Sequence, residues 1–578
     1  MRLKNFSRAT LVRASLGSWF VLAPIHLFGQ SDVGALNVAI RDKVSGQVVP
    51  AMICITALAD GSWRMPPDGR QPAPYVSNKS FIAGRLKEVE YVAGDKKKWY
   101  PGDVGPAVLT TGDFREDPKH WYENVRPMPY WKEPAAYFVS KPFTIELPPG
   151  KYRLAVQRGP EYLPYIEEFA VAAGQKLSRS VKIGRWVDMP RRGWYSGDAH
   201  VHSWRTAPLH DEFIITWAQA MDVHMTVAVS YGNQRANDGS IQKNYGEASR
   251  FHRGDYWVES GAEDPRVSIE GQGHVTQINI QNAVRDARNY HLYDRVFDGV
   301  HRQGGLVGYS HLAWSPAFFR RKDPNSHAGW DASINIIRGK VDFIDILEAA
   351  HMGLEDFYDF LNLGVKLIAM GSSDYPAASV GEERTYAYTG PGKFTVDSWY
   401  AAVKQGHTFT TNGPMLVLSV GGKMPGDEVR VAKNTVVRVR AEVWAPEAIG
   451  APKVLEVVAH GRVIRSAEAS GPKQGKLVVE FDLPAAKSQW IAARTTSFNG
   501  ALAHTSPVYL IVDGASFLDR SQVKQIVAQR LKVLDFIEDR LREPKGMGYF
   551  SPGELDELRK SVQDARTKYQ ASATSSDR

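Results

Sequence analysis

Two histidines one residue apart, His200 and His202, have the residue type and spacing to bind a metal ion. Alternate side chains of a β-strand project from the same face, so both imidazoles would point the same way if this stretch is a strand. Together they could hold one divalent cation. Such a pair also arises by chance in a chain with 16 histidines, so its meaning depends on the residues downstream.

Four later residues lie in settings that suit a metal site. Glu263 follows Ser-Gly-Ala, His274 follows a glycine and precedes an apolar run, and His311 and Asp374 each end an apolar stretch. Histidine and carboxylate ligands without thiolate are typical of Zn, Mn or Fe in catalytic sites. Each residue has a plainer interpretation: a solvated acid, a packed sheet histidine, a core histidine and a helix N-cap. The occurrence of all four at such positions favours a metal site.

The segment that must position these residues alternates between strand and helix patterns. Helical spacing is predicted from Tyr293 to Val300 and from Leu354 to Leu363, each followed by glycine. Short apolar strands are predicted at 306–311, 343–348 and 365–370. Repeated βα units indicate a parallel barrel or a doubly wound sheet. His311 and Asp374 would then lie at the carboxyl ends of their strands, where such barrels place their sites.

The flanking regions have the period-2 alternation of β-strands. The stretch LPPGKYRL at 147–154 resembles a hairpin of the carboxypeptidase regulatory-like β-sandwiches, and residues 60–137 form a loop-rich insertion whose purpose stays open. A second β-sandwich is predicted over 416–515. The tail, 516–578, is predicted to be helical, with an apolar stripe that could dock on the chain itself or form a dimer seam. Ser551 and Glu554 form a capping box for its last helix.

Composition and charge exclude several functions. The net charge is only +8, and no dense Lys/Arg run with interleaved aromatics is present, which disfavours nucleic-acid binding. The sequence contains no run of about 20 apolar residues, so stable insertion into a membrane is not predicted. The single cysteine, Cys54, excludes an intramolecular disulfide and a thiolate metal cage. Basic residues followed by a modest apolar run predict a signal peptide over 1–30, and hence an exported, periplasmic protein.

Residues 194–414 resemble the carbaryl-hydrolase-like (CehA/McbA) metallohydrolases of the polymerase and histidinol phosphatase (PHP) superfamily. The matching stretches are GDAHVHS, GAEDPR, GQGHVTQINI, QGGLVGYSH, DFIDILEAA, GSSDYP, ERTYAY and GHTFTTNGPML. The resemblance implies a multidomain chain whose central α/β domain is a distorted (β/α)7 barrel, between N- and C-terminal β-sandwich domains and before the helical tail. The predicted boundaries are 31–190, 191–415, 416–515 and 516–578.

The resemblance also implies a ligand set. One metal would take His200, His202, Glu263 and Asp374, and a second would share Glu263 and add His274 and His311. The family's third metal needs histidines where this chain has Gly232 and Tyr375 or Pro376. One or two divalent ions (Zn, Mn or Fe) are therefore expected.

The implied chemistry is hydrolysis of a small-molecule substrate. A divalent cation lowers the pKa of a bound water to about 7, and the resulting hydroxide attacks a carbonyl or phosphoryl centre. Glu263 and Asp374 would carry the reactive water. Asp198 could fix a ligand imidazole, and Arg384 could bind an anionic substrate. Further candidates around the site are His224, Tyr231, Glu348, His351, Tyr375 and Asn412.

Four functions remain open at this point. The family resemblance favours cleavage of a carbamate, ester or amide, while the superfamily also includes phosphoesterases. An amidohydrolase barrel also begins with HxH, but Glu263 occupies the position where that fold places a carboxylated lysine. A chain without enzymatic activity could keep the metal for stability and use its β-sandwiches for binding.

Overall fold

The computed structural model describes residues 33–64, 66, 128–133, 136–203, 205, 208–230, 242–264, 272–284, 292–310, 312, 329–348, 351–375, 378–542 and 550–575. This part of the chain is mostly β, with seven α-helices, and consists of several packed layers. The predicted signal peptide, most of the loop-rich insertion, and the site candidates His311, Tyr231, Gly232 and Pro376 lie outside the described residues. The predicted domain boundaries stay predictions.

The N-terminal region is two sheets facing each other across one apolar core. Its strands are β1 (Gly34–Asp42), β2 (Ala51–Ala57), β3 (Trp63–Arg64), β4 (Tyr137–Val139), β5 (Phe143–Leu147), β6 (Gly150–Gln157), β7 (Tyr165–Val171) and β8 (Lys176–Ile183). One sheet has the order β5-β1-β8, and the other has the order β3-β2-β6-β7 with β4 also on β2. Alternate residues of β1, such as Leu36 and Val38, enter the core that Ile53 and Leu154 enter from the other side.

The predicted hairpin at 143–156 is wrong. Strand β5 pairs with β1, whereas β6 pairs with β2 and β7, so the two strands belong to different sheets. Pro148 and Pro149 lack backbone N–H donors, which is consistent with a crossing between sheets instead of a paired turn. The alternation predicted both strands but not their partners.

The central region is a strongly curled mixed sheet with helices around it. Its strands are β9 (Trp194–Val201), β10 (Met225–Ser230), β11 (Phe251–Arg253), β12 (Tyr256–Asp264), β13 (His274–Ile278), β14 (Leu306–Ser310), β15 (Phe343–Glu348), β16 (His351–Met352), β17 (Ile368–Gly371), β18 (Arg384–Tyr388) and β19 (Thr408–Thr411). Its helices are α1 (Pro208–Met221), α2 (Tyr293–Arg302), α3 (Trp330–Asn335), α4 (Glu355–Asn362) and α5 (Val396–Lys404).

Strand pairing gives the central order β17-β15-β14-β13-β12-β10-β9-β18-β19. Strand β17, at one end of this order, is joined to β18 and β19 at the other end by side-chain hydrogen bonds. The hydroxyl of Thr408 on β19 donates to the carbonyl of Ala369 at 3.1 Å, and the N–H of Gly371 donates to Oγ1 of Thr385 on β18 at 2.9 Å. Pairings of β13 with both neighbours, and of β18 with β9 and β19, are antiparallel. A curled sheet is therefore present, but these pairings do not establish the predicted (β/α)7 barrel.

Most of the central elements match the sequence patterns. The helix predicted from Tyr293 begins at that residue, and the strands predicted at 306–311 and 343–348 are β14 and β15. Glu263, which could also have been a solvated acid, lies inside β12. The end of this strand is buried, so the polar residues Glu263 and Asp264 do not mark a surface turn.

The C-terminal β region continues the central sheet. Its strands are β20 (Met415–Val420), β21 (Glu428–Val431), β22 (Val436–Trp444), β23 (Pro452–Ala459), β24 (Arg462–Glu468), β25 (Lys476–Pro484), β26 (Gln489–Ser497), β27 (Leu502–Thr505) and β28 (Val508–Val512). Strand β27 pairs with β19, which joins this sheet to the central one. Strands β20, β22 and β25 form the opposing sheet over a shared core.

The tail is a pair of helices, α6 (Val523–Arg542) and α7 (Pro552–Ser575). The predicted capping box is confirmed: the Ser551 N–H donates to Glu554 Oε2 at 2.8 Å, and the Glu554 N–H donates to Ser551 Oγ at 3.3 Å. The apolar stripe of α6, including Leu534 and Ile537, is buried in the core that holds Phe360 of α4. The stripe is covered by the chain itself, so the proposed dimer seam gains no support.

No helix among the described residues is both long enough and apolar enough to cross a lipid bilayer.

Candidate metal centre

Strand β9 carries the first histidine, and the second follows directly after the strand ends at Val201. The strand is buried along its whole length, so His200 cannot reach solvent. Gly197 allows this burial, because a Cβ there would lie 2.3 Å from the ring of Trp399 on α5. The side chains of His200 and His202 share a face, as alternation predicts, and their Nε2 atoms lie 3.1 Å apart.

Asp374 is held on a tight turn beyond β17. Its φ angle is +44°, a left-handed conformation that aspartate adopts more readily than most residues. The turn is bonded to the end of β9: the Tyr375 N–H donates to the carbonyl of His200 at 3.3 Å, and the His202 N–H donates to the carbonyl of Tyr375 at 3.2 Å. These bonds bring Asp374 Oδ1 to 2.9 Å from His202 Nε2.

Glu263 and His274 come from two antiparallel strands, β12 and β13. Glu263 lies opposite Thr276 in the register, so His274 is its diagonal neighbour on the same face. The carboxylate of Glu263 spans the site: Oε2 lies 3.3 Å from His200 Nε2 and 3.2 Å from His202 Nε2, while Oε1 lies 2.8 Å from His274 Nδ1. Glu263 therefore contacts His200 and His202 through one carboxylate oxygen and His274 through the other.

The donor atoms have the spacing of ligands around one cation. Bonds of about 2.0–2.2 Å at angles between 90° and 110° place neighbouring ligand atoms about 2.9–3.5 Å apart. The Nε2 atoms of His200 and His202 lie 3.1 Å apart, and each lies 2.9–3.3 Å from an oxygen of Glu263 and an oxygen of Asp374. His200, His202 and Asp374 satisfy the geometry of a metal-binding group. Two imidazoles and carboxylates with no sulfur suit Zn, Mn or Fe.

Burial differs sharply across the site. The side chains of His200, Glu263 and His202 are 0%, 1% and 4% exposed, whereas those of Asp374 and His274 are 21% and 32% exposed. A solvent-borne molecule would therefore reach the site from the side of Asp374 and His274.

The electrostatics of the metal-free site favour charged imidazoles. Burial alone would lower the pKa of His200, but the carboxylates of Glu263 and Asp374 outweigh it and raise that pKa to about 10. For His202, burial is likewise outweighed by hydrogen bonds with Asp374 and Glu263, which raise its pKa. Burial would raise the pKa of Glu263, but the imidazoles of His200 and His274 hold it well below its usual value.

A second group that includes His200 is completed by Asp345 and Glu348 of β15, with donor atoms within 4.8 Å of each other and of an imidazole nitrogen. A ligand imidazole that offers one nitrogen to a metal commonly donates its other N–H to a carboxylate. Glu348, predicted as a surrounding residue, therefore lies close to His200. Asp345 was not predicted, although its place inside a buried strand pattern was a signal.

The predicted roles of Asp198 and Arg384 need correction. Asp198 is fully buried, and its carboxylate accepts hydrogen bonds from backbone N–H groups, including that of His200, and not from a ligand imidazole. Arg384 is also fully buried, and its guanidinium donates to the carbonyls of Gly381, Asp222 and Met221. A guanidinium in this position cannot bind a substrate anion.

Other candidates lie away from the donor atoms. His224 is buried beside Ser196, four residues before His200 on β9, so strand geometry places it roughly 13 Å from the site. Asn412 accepts from the backbone N–H of Leu502 on β27. Tyr375 packs its ring against Trp217 at 4.8 Å between centroids. Residue type alone cannot separate such core positions from site positions.

Comparison with known proteins leaves the family open. No family model matches the chain, and no curated protein sequence matches it. Among solved structures, the crystal structure of an engineered protein aligns with 35% of this chain and 48% of its own, at 14% identity and a TM-score of 0.13. The chain thus spans about half the length of that protein, and a likeness of this size carries no argument about fold or function.

Proposed function

We propose that this protein is an exported, metal-dependent hydrolase that cleaves carbamate, ester or amide bonds of small molecules. The observation that carries the proposal is the convergence of His200 Nε2, His202 Nε2, Glu263 Oε2 and Asp374 Oδ1 at ligand spacing. The resemblance to carbaryl-hydrolase-like enzymes supports the bond class, because the same residues fall in its motifs.

A divalent cation held by these four residues would supply a nucleophile from water at neutral pH and would polarise the oxygen of the scissile bond. His200 and His202 would bind it as neutral imidazoles from the buried side. Asp374 would complete the binding from a turn that is partly open to solvent. Glu263 would place one oxygen on this cation and the other beside His274, where a second cation could bind with His274 and His311.

The substrate would enter from the exposed side of the site. Asp374 and His274 are its most exposed polar groups, so the leaving group would depart on their side. Arg384 is fully buried and donates to backbone carbonyls, so it would not recognise the substrate. The reaction is therefore assigned to neutral substrates in preference to phosphate esters, which usually profit from an additional cationic side chain.

The test is hydrolysis of aryl esters, aryl carbamates and bis-aryl phosphates by purified protein loaded with Zn, Mn or Fe. We expect esters or carbamates to be cleaved and His200→Ala to abolish the activity, because it removes a buried ligand. His504→Ala is the matched control: it removes another fully buried histidine, which contacts Tyr358 outside the site. That variant should be less stable but should keep metal and activity.

Cleavage of the phosphates alone would identify a phosphoesterase instead. Protein that binds metal but cleaves no substrate of the panel would favour the binding module, and equal activity of His200→Ala and the wild type would refute the site.

A further inference from the structure

One buried carboxylate, that of Asp198, connects the segments that carry two of the proposed metal ligands. Its Oδ1 accepts from the N–H of His200 at 3.2 Å and from the N–H of Ser373 at 3.1 Å. Its Oδ2 accepts from the hydroxyl of Ser373 at 2.6 Å and from the N–H of Gly381 at 2.7 Å. Three separate stretches of chain therefore converge on one side chain.

These stretches are the ones whose relative position sets the geometry of the site. His200 is the penultimate residue of β9, and Ser373 directly precedes Asp374, whose left-handed backbone needs support from its surroundings. The same segments are also linked by the backbone bonds through Tyr375 and by the hydroxyl of Ser373, which lies 3.4 Å from the carbonyl oxygen of His200. A shift of one segment against the other would separate Asp374 Oδ1 from His202 Nε2, now 2.9 Å apart.

The third stretch, which contains Gly381, is itself fixed from behind. Arg384 Nε donates to the carbonyl of Gly381 at 2.7 Å, and its terminal nitrogens donate to the carbonyls of Asp222 and Met221 at 3.2 and 3.1 Å. The chain turns back on this guanidinium at the end of α1. Gly381 thereby presents its N–H to Asp198 from a rigid support.

We infer that Asp198 is a positioning residue, which together with Ser373 holds His200 and Asp374 at the separation that one cation requires. The inference rests on the proposed metal site and adds a residue that never touches the cation. The Asp198 carboxylate is fully buried, and its four acceptor bonds offset part of the cost of burying it.

The experiment is a titration of the metal-free full chain with Co(II), following the visible absorption that reports coordination geometry. Asp198→Asn replaces one of the two acceptor oxygens by an NH2 group, so the amide cannot accept from the N–H groups of both His200 and Gly381. Ser373→Ala keeps the Asp198 carboxylate but removes the hydroxyl that donates to it and accepts from the N–H of Tyr375, and it serves if Asp198→Asn does not fold. Asp519→Asn is the matched control, because this buried carboxylate also accepts from a serine N–H and hydroxyl, at 3.1 and 2.7 Å, before α6.

We expect Asp198→Asn and Ser373→Ala to weaken cobalt binding by about 10–100-fold and to alter the spectrum, as loss of outer partners commonly does. Asp519→Asn should match the wild type. Wild-type affinity and spectrum in both Asp198→Asn and Ser373→Ala would overturn the inference and leave the proposed function intact. Failure of the wild type to bind cobalt, zinc, manganese or iron would instead remove the proposed function and the inference together.

Discussion

At the residue scale, His200 in the metal-free protein holds a proton that a cation must displace. Its pKa is raised to about 10, above the usual 6.5, so the imidazole is protonated at neutral pH and loses its proton only as the pH rises toward 10. Metal binding should therefore release protons and tighten as the pH rises. Calorimetry in buffers of different ionisation enthalpy should detect at least one proton released per cation at neutral pH.

The same proton release should appear in the affinity: the Kd for the metal should fall about tenfold per pH unit for each proton displaced. A Kd that does not change between neutral pH and pH 9 would contradict the charged state of the metal-free site. His200→Ala provides the background for any cation bound elsewhere.

Residue patterns in the sequence predicted much of the site and missed its supports. His200, His202, Glu263, His274 and Asp374 are brought together as the pattern and resemblance indicated. The roles of Asp198 and Arg384 were misassigned, because a motif shows that a charged residue is present but not whether it faces a cavity or the backbone. Ser373 stood inside a quoted motif without a role, since its partner Asp198 is 175 residues away.

At the element scale, the turn after β17 should tolerate some replacements of Asp374 better than others. Asn and Ala both remove the carboxylate, but Ala in a left-handed conformation costs about 1–2 kcal/mol, whereas Asn adopts it readily. Metal-free Asp374→Ala should therefore unfold at lower urea concentration than Asp374→Asn, while both lose metal affinity. Identical unfolding midpoints would show that the turn does not hold residue 374 at positive φ.

Local elements were predicted well and their partners poorly. The helix at Tyr293 and the capping box at Ser551 depend on neighbours three or four residues away, which a sequence displays directly. The antiparallel pairing of β13 with its neighbours, and the placement of β5 and β6 in different sheets, depend on pairings that local sequence does not display. Alternation specifies which residues face a core, not which strand lies alongside.

At the scale of the whole molecule, a buried ionic cluster joins the N-terminal sandwich to the central sheet. Arg185 contacts Glu161 at 2.6 Å and Asp222 at 2.7 Å, and both carboxylates are fully buried. Tyr386 of β18 donates to Glu161 at 2.9 Å. The two regions are therefore connected by charge as well as by apolar contact, and no local pattern in the sequence indicates these partners.

Arg185→Ala should destabilise the protein by about 3–5 kcal/mol, because it leaves the buried carboxylate of Glu161 without its cation and that of Asp222 with only Arg158, 4.0 Å away. Burial raises the pKa of Glu161 to about 7 even though Arg185 opposes the rise. Without Arg185, Glu161 can stay neutral at pH 5 by holding a proton, but at pH 8 it would more often be a buried charge without a cation. The loss of stability should therefore be greater at pH 8. Thermal unfolding at both pH values measures it.

Arg191→Ala is the control for this variant, because Arg191 is 86% exposed and its ion pair with Asp188 lies at the surface. No measurable change is expected there. Equal effects of the two substitutions would contradict the role of the cluster in joining the sandwich to the sheet.

The most direct test of the central claim is anomalous diffraction at the zinc absorption edge from crystals grown with zinc. We predict a peak about 2.0–2.2 Å from the Nε2 atoms of His200 and His202 and from an oxygen of Glu263 and of Asp374. Crystals with no peak among these four side chains, at zinc concentrations that fill surface sites, would contradict the account.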